Sequence, residues 1–314
     1  YSHYCSVFGI DKFNQILVSL SNPTCYSCLV NKYSNISRSF EILNAIPNVE
    51  QVEGINNSIC LCLRNSKEAL PPGQFPFPEP EKDENNLKLY YCLDAASVLV
   101  TEALEIHPDD DVLDMCAAPG GKSLAIIQQF TWNKGNRLGS IQLNEPNESR
   151  RKRLRIVMDD YIPQRFVSDH IRFTGSDASN YGVFDEESFD KILVDAPCSS
   201  ERHLIQNCPN SDSKWTVSKS KSLARKQVQM LLNALRAVRS GGRVVYATCS
   251  LSEFENDGVV ERALQKTKVN VKVTRKKWSF GGQPTKYGWL ILPSHSSTES
   301  LQWGPIYFAV FVRS

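Results

Sequence analysis

No run of eighteen apolar residues occurs in the 314-residue chain, so no segment of it is suited to cross a membrane as a helix. The first residue, Tyr1, is not a methionine, and a targeting peptide, where the protein has one, is expected ahead of this sequence. Zinc-finger spacing is missing too. Cys25 and Cys28 stand as metal ligands do, but only Cys60 and Cys62 follow, with no second pair at finger distance, so no bound metal is expected. The ten cysteines are expected to be thiols, because a chain of this length with 41% hydrophobic residues builds a core without disulfide staples.

Two nucleotide-binding signatures are also absent. The G-x-G-x-x-G spacing does not occur. The stretch DMCAAPGGKS (114–123) looks like a phosphate loop, but a Walker loop needs glycine five residues before its Gly121–Lys122 pair, and Cys116 stands there. A nucleoside-triphosphatase is weakened on that ground.

What is present is uneven charge. The formal total is only +2, yet Glu79 to Asp114 holds 11 acidic and 2 basic residues, while Lys214 to Lys277 holds 15 basic and 4 acidic ones. One side facing a polyanion would explain this, as would two solvated surfaces of opposite sign.

Residues 70–86, LPPGQFPFPEPEKDENN, carry five prolines and then a charged run, which resists helix and sheet. They divide the chain into an N-terminal extension (1–68), helical at first and with the apolar strand ICLCL (59–63), a linker (69–88), and a main domain (89–314). In the main domain short apolar runs alternate with amphipathic stretches, the pattern of an α/β doubly wound sheet. The expected strands are 111–115, 139–144, 170–175, 190–196, 243–249, 287–293 and 305–312. Leu223, Val228, Leu231, Leu232, Leu235 and Val238 fall at helical spacing, with Gly241 and Gly242 expected to stop that helix.

The first strand ends in Asp114 and runs into a glycine turn that lets backbone approach a ligand. Glu145 closes the second strand, where a carboxylate suits the two hydroxyls of a ribose. Asp177 follows the third strand, placed either to touch an adenine edge or simply to form a turn in GSDAS. Arg150 opens the basic run RRKRLR and is within reach of the same ligand. An adenosine-type cofactor without a pyrophosphate fits, and S-adenosylmethionine is the commonest.

LVDAPCSS places Asp195, Pro197 and Cys198 at the end of one strand, and VYATCSLSEFEN places Cys249 at the end of another. Either cysteine alone reads as a small buried hydrophobe. Together with the donor loop, DMCAAPGGKS, VDAPCSS and ATCSLSEFEN resemble the Sun-domain family of RNA cytosine-5 methyltransferases over roughly Leu89 to Ser314. YYCLDAASVL (90–99), WGPIYF (303–308) and, more faintly, VSL and LVNKYSN are similar to its mitochondrial members. CSSERH and QVQMLLNAL favour the branch acting on small-subunit ribosomal RNA over the transfer RNA branch.

The resemblance implies a Rossmann-like class I methyltransferase fold with S-adenosyl-L-methionine as cofactor. It implies that Cys249 is the nucleophile adding to carbon 6 of cytosine, that Cys198 assists removal of the carbon 5 proton, and that Asp195 hydrogen-bonds the base. Lys122 lies between donor and base in the family pattern. Donor contacts are implied for Cys116, Ala117, Ala118, Pro119, Gly120, Gly121, Lys122, Glu145, Arg150, Asp177 and Asp195. The family more often has aspartate at position 145, and its mitochondrial members tend to carry glycine at position 178, where Ala178 stands here.

A cytosine must leave its stack before a thiolate reaches the ring, and the tract 214–277, with Trp215 and Trp278, is expected either to meet RNA or to pack. With no recognisable RNA-binding repeat, site choice falls to the N-terminal domain or to a partner, which the resemblance implies is a helical-repeat protein of the mitochondrial termination-factor type. The implied compartment is the mitochondrion. Two alternatives stand beside the ribosomal reading: a mitochondrial transfer RNA methyltransferase, and an assembly factor that binds ribosomal RNA with catalysis incidental or lost.

Overall fold

The computed structural model describes residues 1–22, 26–63, 76–130, 138–207, 215–279, 281–293 and 303–314. The N-terminal part begins with α1 (Ser2–Phe8) and α2 (Ile10–Ser21), followed by β1 (Ser27–Val30), α3 (Ile36–Asn44), β2 (Val49–Gln51) and β3 (Cys60–Leu63). Asn35 starts α3 by accepting from the Arg38 N–H at 3.0 Å. β1 and β3 are apolar and buried, so they pair at the centre of a four-stranded antiparallel sheet of order β2-β3-β1-β4. Its fourth strand, β4 (Tyr90–Leu93), comes from beyond the 69–88 stretch, of which residues 69–75 lie outside the described ones. Cys28, Cys60 and Cys62 are buried in this small sheet, and burial raises the thiols of Cys28 and Cys60 well above the usual range. Cys25 lies outside the described residues.

The main domain alternates as its apolar runs lead one to expect. α4 (Ala95–Glu102) starts on Asp94, whose carboxylate accepts from the Ala96 N–H. Then come β5 (Asp111–Asp114), α5 (Gly121–Ile127), β6 (Ser140–Asn144), α6 (Glu148–Tyr161), α7 (Gln164–His170) and β7 (Ile171–Thr174). β8 (Phe189–Asp195), α8 (Glu201–Asn207), α9 (Val217–Ala237), β9 (Val238–Thr248) and α10 (Asp257–Lys266) follow. The chain ends with β10 (Val271–Thr274), β11 (Gln283–Pro284), β12 (Trp289–Ile291) and β13 (Ile306–Arg313).

β7, β6, β5, β8 and β9 form a parallel run in that order. β13 adds antiparallel to β9, and both β12 and β10 pair with the outer edge of β13. This is the doubly wound, Rossmann-like sheet expected of a class I methyltransferase. Strand order reverses on either side of β5, and in such sheets ligands gather beyond the strand ends at the reversal. One face is covered by α4, α5 and α6 through Leu99, Leu124 and Leu154, the other by α9 and α10 through Leu231, Leu235 and Val259. The small sheet is tied to α6, since Tyr161 donates to the Tyr90 carbonyl of β4 at 3.2 Å and Asn31, just after β1, donates to the Tyr161 carbonyl at 2.8 Å.

α9 does not stop at the glycines. It ends at Ala237, and Val238 already belongs to β9; residues 239–242 bulge out between the pairs Phe189–Val238 and Lys191–Arg243. The last carbonyls of the helix have other donors: Arg313 Nη1 reaches those of Arg236 (3.1 Å) and Val238 (2.7 Å), and the Ser188 N–H reaches that of Ala237 (2.8 Å). With its orphan acceptors satisfied across the sheet, the helix needs no glycine cap. Gly241 instead takes φ +77° in the bulge.

Leu231 is fully buried between α9 and the sheet. Leu231→Ala is expected to lower unfolding free energy by about 2–5 kcal/mol, read as a drop in the denaturant midpoint with donor-site residues untouched.

Candidate active site

The ends of β5, β6, β7, β8 and β9 meet over the strand-order reversal, and buried polar side chains hold their loops in place. Asn144 at the end of β6 is fully buried. Its amide donates to the carbonyls of Met115 (3.0 Å) and Ser176 (2.9 Å), and its carbonyl oxygen accepts from the Ser176 N–H (2.9 Å), tying three strand ends together. The glycine loop turns at Gly120, where φ is +124° and an added Cβ would lie 3.0 Å from Val157 of α6, so both conformation and space demand glycine. Asp114 is 1% exposed and accepts from Ser123 Oγ (2.7 Å) and the Cys116 N–H (3.2 Å). Burial lifts its carboxyl to about 7 against the help of those donors.

Cys116, Glu145, Arg150, Asp177, Leu223 and Met230 are among the residues lining a cavity of about 250 Å³ at these strand ends. Glu145 is 2% exposed, with Oε1 accepting from the Asn147 N–H (2.8 Å) and Oε2 facing Arg150 Nη1 (3.1 Å). Arg150 also donates to the Ala118 carbonyl (2.8 Å), bracing the loop from α6. The set suits an adenosine: a recessed carboxylate for the ribose hydroxyls, apolar walls for a planar ring, and a second carboxylate, Asp177, at the rim. A ribose would share Glu145 with Arg150 or turn that side chain outward, where it is already 54% exposed. Asp177 Oδ1 accepts from the N–H and Oγ of Ser179 at 2.9 and 2.7 Å, which holds its carboxyl below the usual range and makes it a turn former as well as a cavity residue. Ala178 is buried, and Asn233 of α9 donates to its carbonyl (2.8 Å). Ala117, Ala118 and Gly120 are buried in the loop, and Pro119 is exposed.

Beside this cavity stand the two thiols. Cys198 Sγ and Cys249 Sγ are 3.1 Å apart, and Cys249 Sγ also lies 3.4 Å from Ser200 Oγ. Lys122 Nζ sits 2.9 Å from Asp195 Oδ2 and donates to Ser97 Oγ of α4 (3.1 Å). Burial alone would lower Lys122, but Asp195 outweighs it and the ammonium is held above its usual range. The two sulfurs part company. Hydrogen bonding with Cys198 lowers Cys249, with Ser200 and Lys122 adding to the effect, while the same contact and desolvation raise Cys198 well above the thiol range. Cys249 is therefore the sulfur that ionises first, with Cys198 as its thiol donor. Cys249 is exposed.

Sequence reasoning missed what fixes this pair. Glu255, fully buried, accepts from the Ser199 N–H (3.0 Å), Ser220 Oγ (2.7 Å) and Gln227 Nε2 (3.0 Å). Glu201 accepts from Ser199 Oγ (2.7 Å), Ser250 Oγ (3.0 Å), the Leu251 N–H (3.1 Å) and Tyr4 Oη (2.6 Å). These two carboxylates stitch the loop after Cys198 to the loop after Cys249, and Tyr4 brings α1 into the same network. The available signal was the serines and glutamates crowded next to each cysteine, in CSSERH and CSLSEFEN. Trp215 proves to be a packing residue: its ring lies 4.5 Å from that of Tyr4 and 5.2 Å from that of His3.

Comparison with known proteins agrees with this architecture. The family of 16S rRNA methyltransferases RsmB/F matches residues 101–304. The Xenopus tropicalis 5-cytosine rRNA methyltransferase NSUN4 is 34% identical over 76% of this chain and 59% of its own length. The mouse mitochondrial tRNA (cytosine(34)-C(5))-methyltransferase is 33% identical over 74% of this chain and 66% of its own. The chain thus spans about three fifths to two thirds of these relatives. The crystal structure of NSun6 from Pyrococcus horikoshii shares the fold, with a TM-score of 0.74 at 19% identity over 99% of this chain and 97% of that one.

Asp114 makes stability depend on pH. An unfolded carboxyl releases its proton near pH ~4, whereas the folded one holds it to about 7, so this contribution is complete below pH ~4 and is lost as pH rises through about 7. Asp114→Asn is expected to flatten that loss, seen as a smaller fall in denaturant midpoint between those pH values than in the wild type.

Proposed function

The chain belongs to the RsmB/F family of rRNA methyltransferases, and from that premise we propose that it is an S-adenosyl-L-methionine-dependent RNA cytosine carbon-5 methyltransferase acting on mitochondrial ribosomal RNA. The observation that carries the reading is the 3.1 Å contact of Cys198 and Cys249, beside the Lys122–Asp195 pair and next to a cavity with a carboxylate placed for ribose. Two nucleotide-facing thiols have no use in a triphosphatase, and the pairing favours chemistry over RNA holding alone.

Glu145, Arg150, Asp177 and the 116–121 loop would hold the cofactor, which would supply an activated methyl group from a sulfonium that leaves as a neutral thioether. Cys249, the sulfur that ionises first, forms a bond to carbon 6 of a flipped-out cytosine. The electron pair displaced from the 5,6 double bond turns carbon 5 into a nucleophile, and nitrogen 3 takes a proton from solvent that it gives back once carbon 5 carries the methyl group. Asp195, held by Lys122, accepts a hydrogen bond from that protonated edge. Carbon 5, now electron-rich, is the atom that would accept that methyl group. Cys198, its own thiol proton first passed to solvent once Cys249 is bound to carbon 6, assists removal of the carbon 5 proton as the thiolate. The electrons of that bond restore the 5,6 double bond, the carbon 6–sulfur bond breaks, and Cys249 leaves as a thiolate.

Ribosomal RNA is favoured by the relative with 34% identity, and the mitochondrial compartment by the relative acting on transfer RNA there. A helical-repeat partner of the termination-factor type belongs to the same reading and would choose the site.

Cys198→Ala is expected to accumulate a covalent protein–RNA species on denaturing gels with total organellar RNA and cofactor, and Cys249→Ala to form none. The reverse pattern exchanges the two roles. Bisulfite sequencing of organellar RNA from cells lacking the protein is expected to show a cytosine losing its methyl mark in small-subunit ribosomal RNA; loss in transfer RNA instead moves the substrate to the other branch.

A further inference from the structure

A second concave site lies away from the strand ends. Its cavity of about 410 Å³ opens where the outer edge of β13 changes partners: β12 pairs with it at 306–308 and β10 at 310–313, leaving Ala309 with a strand neighbour, Tyr246, on one side alone. Arg275, Lys276, Lys277, Trp278, Trp289 and Phe308 are prominent in its wall. The three cations are exposed, and of the carboxylates among the described residues only Glu105 forms an ion pair with them, at 3.3 Å from Lys276. Glu105 is also held by Arg243 at 2.5 Å. Trp278 is half-buried, with the Lys276 ammonium 4.8 Å from its ring centre and Phe308 edge-on at 5.4 Å.

Trp289, Phe308, Ala247 and Asp195 are successive partners across four adjacent strands, so the cavity and the Lys122–Asp195 pair belong to one cross-strand row. Three strand spacings of ~4.8 Å put them roughly 14 Å apart. An aromatic ring with cations beside it is the wall that a single-stranded nucleic acid uses, the base stacking and the phosphates meeting the charges. Of the two tryptophans at the ends of the basic tract, Trp215 is packed against α1, and Trp278, just past Lys277, is the one at a cavity.

We propose that this groove is a nucleotide subsite for the substrate RNA, in which Trp278 stacks on a base outside the target cytosine and Arg275, Lys276 and Lys277 hold its flanking phosphates. The proposal rests on the RNA reading above and names where that RNA is gripped apart from the reacting base.

The test is fluorescence anisotropy of the full chain with a short, labelled single-stranded RNA over a range of salt. Trp278→Ala is expected to weaken binding about tenfold, and Trp278→Phe to recover most of it, because a base stacked on an aromatic ring is worth about 1–3 kcal/mol. Arg275→Ala with Lys277→Ala is expected to lower the salt slope by about 1.4, at ~0.7 per phosphate contact on a single strand. S-adenosylmethionine affinity equal to wild type in each variant verifies the fold. Should Trp278→Ala fail that control, the charge pair and the quenching of tryptophan fluorescence by RNA in Trp278→Phe against wild type decide. Binding within twofold of wild type in all variants overturns the subsite, as does competition by polyglutamate as strong as by unlabelled RNA. If the wild type binds RNA through the groove yet methylates none, the functional reading falls and the subsite stands; if it methylates RNA while every variant binds normally, the subsite alone falls.

Discussion

Two thiols can share a proton only if the segments carrying them are held side by side, and here that contact depends on carboxylates buried beneath it. β8 and β9 are parallel neighbours, so their ends bring Cys198 and Cys249 together, but strand ends alone leave loops free to wander by ångströms. Glu255, itself in the second loop, removes that freedom by accepting from Ser199 of the first loop and from α9, and Glu201 does so by accepting from both loops. A buried carboxylate is costly unless its lone pairs are filled, and each of these has three or more donors around it. Each donor lost leaves a lone pair of a buried carboxylate unfilled, so the network favours one geometry for the sulfurs.

The same division of labour recurs across the sheet. Hydrophobic strands and helices set position to within a strand spacing, and a few buried polar side chains set the last ångström. Asn144 does so for the donor side, where one amide joins the ends of β5, β6 and β7. Arg150 and Glu145 close the glycine loop onto α6. Tyr4 extends the scheme to the N-terminal helices, so the part of the chain before the linker stretch helps to shape the thiol pair. The geometry of the thiol pair and the docking of α1 are thereby coupled through Glu201.

Much of this was legible in the sequence, for reasons that differ from one element to another. β5, β6, β8, β9, β12 and β13 stand out as apolar runs because the centres of strands covered on both faces must be hydrophobic, while β7, half-buried at the sheet edge, stands out through Ile171 and Phe173. The three motifs named the residues around the cavity and the thiols, since glycine, cysteine and carboxylate at strand ends are few and spaced. The end of α9 was not legible. Its carbonyls are satisfied by Arg313 and by backbone from the approach to β8, partners 75 or more residues and 49 residues away along the chain, which no local pattern displays. β1, β2, β4 and β10 are three or four residues long and carry no periodicity of their own. Glu201 and Glu255 were hidden for the opposite reason: a charged residue in a serine-rich loop looks solvated until the fold buries it. For Asp177 the turn reading holds, one oxygen accepting from Ser179, and the residue also lines the cavity.

The central claim is that Cys249 is the ionised sulfur and Cys198 its proton partner. The rate of alkylation of each thiol by iodoacetamide as a function of pH, resolved by peptide mass spectrometry, tests it most directly. The account predicts that Cys249 reacts with a midpoint below the ordinary thiol range while Cys198 stays slow until far higher pH. Faster alkylation of Cys198, or an ordinary thiol midpoint for both, would contradict it.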